Sequence, residues 1–365
     1  MQPKSTRIES IDTAKAIGIF LVFYGHLVGE FSGLGSQVAF TQLKFIFSFH
    51  MPFFFIVAGF FFRRRFQSLR REVKDSFYKR MLPVFLFALI ALPLWPLYRY
   101  LILGYVDIPI FTELVLPYLK GYPALNQITW FLVCLFTVEI IAIFVLPKIG
   151  SHHWGLIIAG LFLGISLFLT QNIKLTEDLF GIYKNTWFVH EALVAFGLYA
   201  LGYFGFKYIN RLMQSNMAVR FLLLIVFLVI VLLTFDLNSP YEEFVVIMKD
   251  SFHGDSVWFL ISALSGTLAI LLFSTFIPRN RIINFVGTNT LILLGINGIF
   301  HAFVNIHIIT KFQDLESVVT ITTVSFVAAV LSILVSVPLI LILNRYLPQL
   351  VGKPYHDGPW LPPFT

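Results

Sequence analysis

Charge is scarce in this chain, and cysteine is scarcer. Asp, Glu, Lys and Arg make up 12% of 365 residues against 58% hydrophobic ones, and the mean hydropathy is +0.84. One water-soluble core cannot hide that much apolar surface, which excludes a soluble globular enzyme and leaves an integral membrane protein. The single cysteine, Cys134, sits in an apolar run without a partner, which excludes an internal disulfide and any multi-cysteine metal or iron–sulfur site. No small-residue cleavage site follows a short apolar core at the start, so the N-terminus is expected to be retained. Low-complexity tracts, inverted repeats and an attached soluble domain are also lacking. The basic excess, 26 Lys and Arg against 19 Asp and Glu, clusters between apolar runs, where topology explains it without a nucleic-acid partner.

What remains is apolar sequence, rich in Phe, in runs of spanning length. Ten spans are predicted, at about 11–31, 45–62, 81–103, 128–147, 154–172, 188–206, 220–236, 257–277, 284–304 and 318–344. The fold class is therefore all-α: a polytopic membrane bundle of about ten transmembrane helices. Residues 1–365 read as one membrane-embedded domain with a short cytoplasmic tail over about 346–365. Placing both termini in the cytoplasm puts 19 of the 26 Lys and Arg on inner segments, as the positive-inside rule requires. Most of that bias comes from Arg63, Arg64, Arg65, Arg70 and Arg71, continued by Lys74, Lys79 and Arg80.

Against this apolar background the first span stands out, because it carries Asp12, Lys15 and His26. Ionisable groups within lipid are unfavourable by about 2.5 kcal/mol or more, so each one is a site hypothesis. At ~100° per residue, the step from Lys15 to His26 ends only ~20° beyond three full turns, so both project from one face. The same step rises about 16 Å, which sets a cation near the inner surface below an imidazole at depth. Glu30, one turn after His26, extends the stripe. Neutral imidazole is a competent base near pH 7, so the natural role of His26 is general base toward a hydroxyl attacking an activated acyl carbon. Metal binding is disfavoured because no His-x₃-His or carboxylate pair lies beside His26.

Other positions carry two readings. His50 opens the second predicted span, where Pro52 needs no intrahelical donor; it either caps the helix or meets His26 in an outward-facing pocket. Trp130 opens the fourth at the outer interface, where an aromatic ring anchors a helix in the belt. Glu139 lies mid-span and either lines a cavity or pairs with a neighbouring hydroxyl. His152, His153, His301, His307 and His356 read as structural. The small and amide residues around Gly287, Asn289 and Asn297 suit close helix packing.

Together these segments resemble the acyltransferase 3 family of membrane enzymes, in particular the branch that O-acetylates sugars and surface polysaccharides. The resemblance rests on Asp12-x₂-Lys15-Ala-Ile-Gly-Ile-x₄-Tyr24-Gly25-His26, on Phe49-His50-Met51-Pro52-x-Phe54-Phe55 leading to Gly59, and on Arg80-x₂-Pro83. Trp130-Phe131-Leu132 and Gly287-x-Asn289-Thr290-Leu291 follow in order, so it covers essentially the full length. The chain departs from the family at Lys15, where Arg is frequent, at Phe77, where a second basic residue is expected, and at Asn297, where many relatives carry His.

The resemblance implies acetyl-CoA as the acyl donor and co-substrate, with no metal, and a carbohydrate acceptor on a cell-surface polysaccharide or its lipid-linked precursor. Lys15, Arg63, Arg64 and Arg80 would meet the nucleotide from inside, with Asp12 orienting Lys15. His50, Trp130 and Glu30 would bind the acceptor from outside, and His26 would catalyse. Its setting would be a bacterial cytoplasmic (inner) membrane, in contact with the bilayer and with polysaccharide synthesis or export machinery. A transporter or flippase for a glycan or lipid-linked sugar is the alternative, since it too needs many spans and a few buried ionisable groups.

Overall fold

The computed structural model describes residues 9–63, 68–104, 109–150, 152–181, 186–239, 241, 243–312 and 317–364. Regular structure among them is helical, apart from one isolated bridge between Ile247 and Phe252. In chain order the helices are α1 Glu9–Gly33, α2 Gln37–Phe47, α3 His50–Phe60, α4 Leu69–Ala91, α5 Leu94–Leu103, α6 Leu116–Leu119, α7 Trp130–Val145 and α8 His152–Gln171. They continue as α9 Ile173–Phe180, α10 Val189–Met213, α11 Met217–Thr234, α12 Ser256–Ser274, α13 Arg281–Thr288, α14 Thr290–Phe303, α15 Asn305–Ile309 and α16 Val318–Tyr346. Among the described residues, eight segments are long and apolar enough to cross a membrane, or ten if the bent pairs α4–α5 and α13–α14 each count as one span.

The helix boundaries depart from the hydropathy reading where polar residues find partners. The second span begins at Gln37, not near 45, because Lys44 is buried and ion-paired with Asp236 at the end of α11. Ser48 and Phe49 then interrupt it, so α2 and α3 are two helices of one span. Likewise α4 starts at Leu69, well before 81, since Glu72, Asp75 and Ser76 turn inward and are buried. It bends by 47° into α5 at Leu92 and Pro93, and proline cannot supply the donor a continuous helix needs there. A 75° bend at Asn289 divides the ninth predicted span into α13 and α14.

Helix α1 is the centre of the bundle, packed by α2, α12, α13, α14 and α16, while α3, α7 and α8 surround α10. Small residues set the closest approaches. A side chain on Gly59 would overlap the Tyr199 carbonyl, one on Gly202 the Ile56 carbonyl, and one on Gly287 the Asp12 carbonyl.

The start of α1, the α12–α13 connection, the start of α4 and the C-terminal tail share one face. Glu9 pairs with Arg279, and the Phe364 ring lies 4.9 Å from that of Tyr78. The tail is held by the Gln349 amide, which donates to the carbonyls of His356 and Leu361 at 2.7 and 2.6 Å. Arg63, Arg70, Arg71 and Lys74 lie on this basic face too.

These approaches give a stability test. Gly202→Val should lower the thermal midpoint of the purified protein by several degrees, from the ~1–3 kcal/mol or more that overpacking typically removes. Gly160→Val, where a side chain meets nothing within 4 Å, should leave the midpoint unchanged.

Candidate functional site

Three cavities lie in a row through the bundle, and α1 lines two of them. The one on the face opposite the basic one is about 310 Å³ and is walled by His26, Glu30, His50, Gln127, Trp130 and His301, among others. The middle one, about 190 Å³, holds Lys15 and Arg80 among apolar side chains. Met51 and Leu294 line both, standing between them. The third, about 290 Å³, opens on the basic face beside Arg63, Lys79 and Glu139, and shares Ala58, Phe61 and Arg80 with the middle one.

The expected stripe of α1 thus faces protein and cavity. Asp12 holds Lys15 at 2.7 Å, one turn away. His26 lies about three turns beyond Lys15, packed against the Phe47 ring at 6.4 Å and the His301 ring at 4.5 Å. Gly25, beside it, leaves room for Phe47.

His50 is not at the mouth of its span, as the hydropathy reading had it, but after the break between α2 and α3, 5% exposed. Its Nδ1 lies 3.0 Å from the Ile46 carbonyl oxygen. A carbonyl only accepts, so Nδ1 carries the hydrogen and Nε2 is the free nitrogen. Trp130 begins α7 as expected, yet it is 7% exposed and packed on Phe55 and Phe188 rather than standing free in a belt.

Arg80 and Lys79 on the basic side are each paired with a carboxylate. Arg80 donates to Glu139 Oε1 through Nε at 3.0 Å and Nη2 at 2.6 Å, and Ser76 donates to Oε2 at 2.5 Å. Glu139 therefore both lines a cavity and accepts from a hydroxyl. Lys79 pairs with Asp75 at 2.5 Å. Phe77, in the place of a second basic residue, packs on Phe136 at 6.0 Å. Arg63 is exposed at the rim, and Arg64 lies outside the described residues.

His301, read as structural, instead lines the outer cavity with Nδ1 3.1 Å from Glu30 Oε1. No spacing in the sequence marks it, because its partner Glu30 lies on another helix. Residues 246–249 of the loop before α12 also line this cavity, and Lys249 donates to Gln127 at 3.3 Å across it. That loop was not singled out from sequence. It is pinned by Ser251, whose hydroxyl is 2.8 Å from His190 Nδ1, and by His253, packed 5.1 Å from the Phe259 ring.

His253 is 1% exposed; burial first, then the nearby His190, pushes its pKa down to about 3, against a smaller upward pull from the Ser251 backbone. A depressed value means that neutral His253 contributes stability above the ordinary imidazole range, and that this is lost as pH falls toward about 3. The thermal midpoint should therefore drop as pH is lowered from about 7 to about 4, and His253→Phe should flatten that drop.

Comparison with curated proteins and with solved structures found no match. The acyltransferase 3 family model, described as an acyltransferase domain, matches residues 8–345, a stretch that takes in the first two cavities and the third apart from Gly352. The chain belongs to that family and is an integral membrane acyltransferase.

Proposed function

We propose that the protein moves an acetyl group from cytoplasmic acetyl-CoA to a carbohydrate hydroxyl on the far side of a bacterial cytoplasmic membrane. The observation that carries this reading is the row of three cavities, charged on the basic face and lined by imidazoles on the other. By the positive-inside rule the basic face is cytoplasmic.

A polyanionic nucleotide would dock where cations converge. Arg63 at the rim, with Arg64 next to it in sequence, offers charge, and Arg80 and Lys15 continue it inward. Summed attraction and charge-assisted hydrogen bonds favour phosphates there. Asp12 and Glu139 hold Lys15 and Arg80 in place, so their heads are ordered before the donor arrives. The narrow pantetheine arm would thread the middle cavity toward Met51 and Leu294, delivering its thioester to His26.

From the other side, the acceptor would enter the 310 Å³ cavity, a volume within the range of small-ligand sites. His50 offers Nε2, Trp130 a ring edge, and Glu30 a carboxylate. At His26 the acyl group changes hands: the imidazole removes the hydroxyl proton as general base, or carries the acyl group itself in a two-step route. The acceptor would be a surface polysaccharide or its lipid-linked precursor, which brings the enzyme next to synthesis or export machinery.

The test is thiol release from acetyl-CoA by purified protein, with and without a surface glycan fraction. His26→Ala should remove at least ~100-fold of the rate, as loss of a proton-transfer group does, while the variant remains folded in detergent. Near-wild-type activity would refute the assignment. Lys15→Gln should raise the KM for acetyl-CoA; an unchanged KM would take Lys15 out of the donor site.

A further inference from the structure

Three imidazoles line the outer cavity, and among the described residues one of them has a carboxylate behind it. His301 Nδ1 stands 3.1 Å from Glu30 Oε1, an ion-pair distance once the ring is protonated. The carboxylate stands within ion-pair reach of Nδ1 but off the line of a hydrogen bond, so its action on the ring is electrostatic. A negative charge at that distance compensates the imidazolium that forms when Nε2 takes a proton. His50 lacks this: the group behind its Nδ1 is the neutral carbonyl of Ile46, which fixes a tautomer without compensating a charge.

His26 and His301 stand side by side, ring centroids 4.5 Å apart and planes inclined by 39°. An in-plane N–H···N bond between them would push the centroids farther apart, so the two rings address the same cavity in parallel and not each other. Both also line it. Two imidazoles in parallel, one backed by an acid, suit a division of labour between carrying an acyl group and accepting a proton. A carrier also suits cavities divided by Met51 and Leu294, because donor and acceptor then need not be present together.

We propose that His301, with the Glu30 carboxylate at ion-pair distance, is the catalytic base that takes the acceptor's hydroxyl proton, and that His26 carries the acyl group; this rests on the acyltransfer reading above. In the first step a ring nitrogen of neutral His26 attacks the thioester carbonyl carbon, a C–N bond forms, the C–S bond breaks, and CoA leaves as the thiol with the proton from the second ring nitrogen of His26. In the second, the acceptor oxygen attacks the same carbon and its proton passes to His301 Nε2. The C–N bond then breaks, and the proton held by His301 returns to His26 through solvent in the cavity that both rings line. Thioester and alcohol become ester and thiol, and both histidines are restored.

The experiment uses the full-length protein in lipid nanodiscs with acetyl-CoA. Without acceptor, wild type, His301→Gln and Glu30→Gln should each release a burst of one thiol per protein and gain one acetyl group on His26 by mass spectrometry. His26→Gln should do neither. With the extracted surface glycan added, wild type should turn over, whereas His301→Gln should keep the burst but lose at least ~100-fold in steady-state transfer. Added imidazole should restore part of the transfer lost in His301→Ala, a rescue that a purely structural role would not permit. Turnover of His301→Gln within threefold of wild type would overturn the proposal while leaving His26 as the transfer residue. Wild-type turnover with no burst and no acetyl-protein would overturn it in favour of direct transfer. If wild type neither releases thiol nor transfers acetyl, the acyltransfer reading fails, and the proposal with it.

Discussion

An ionised side chain inside hydrocarbon must find a partner, water or a cavity, and this protein is arranged around meeting that demand for one helix. Asp12, Lys15, His26 and Glu30 on α1 cannot face lipid, so α1 takes the centre and other helices are laid around it. Gly287 lets α13 come within contact of the Asp12 backbone, closing that end of the stripe. Asn289 ends α13 with its amide donating to Phe285 at 2.8 Å and accepting from Asn344 at 2.7 Å, which ties α13 to α16. The cavities are the space that this inward-turned polarity keeps open.

Broken helices follow from the same constraint. Non-helical backbone at membrane depth is tolerated where it is buried in protein or lines a cavity. The α2–α3 break leads into His50 and Met51, on the cavity wall, and the bend at Asn289 leads into Thr290 and Leu291, in the middle cavity. The α4–α5 bend does neither, and it carries a proline instead. Breaks that expose side chains to the cavities are thus separable from the one that only redirects a span.

What could be read from sequence was whatever a single helix determines. The face shared by Lys15 and His26 follows from helical periodicity alone, and the structure sets both on cavities; the ten apolar runs likewise survive as spans or bent pairs. What could not be read depends on contacts between distant segments. Lys44 looked too polar for a span because its partner, Asp236, is 192 residues away. His301 looked like one more interfacial histidine, since its significance comes from Glu30 on another helix. Glu139 was ambiguous for the same reason, until α4 brought Arg80 and Ser76 to it.

The two ends of the cavity row hold different kinds of polar group, and the difference bears on mechanism. Toward the basic face the charges are permanent and neutralised in pairs, Lys15 with Asp12 and Arg80 with Glu139. Such groups attract and orient an anion. Toward the other face the cavity is lined by imidazoles, the side chains whose protonation changes most readily near pH 7. Under the proposed acyl transfer, donor recognition belongs to one end and proton handling to the other. A thioester brings no proton to be removed, whereas an attacking hydroxyl must lose one, so under that proposal the alcohol arrives at the end rich in imidazole.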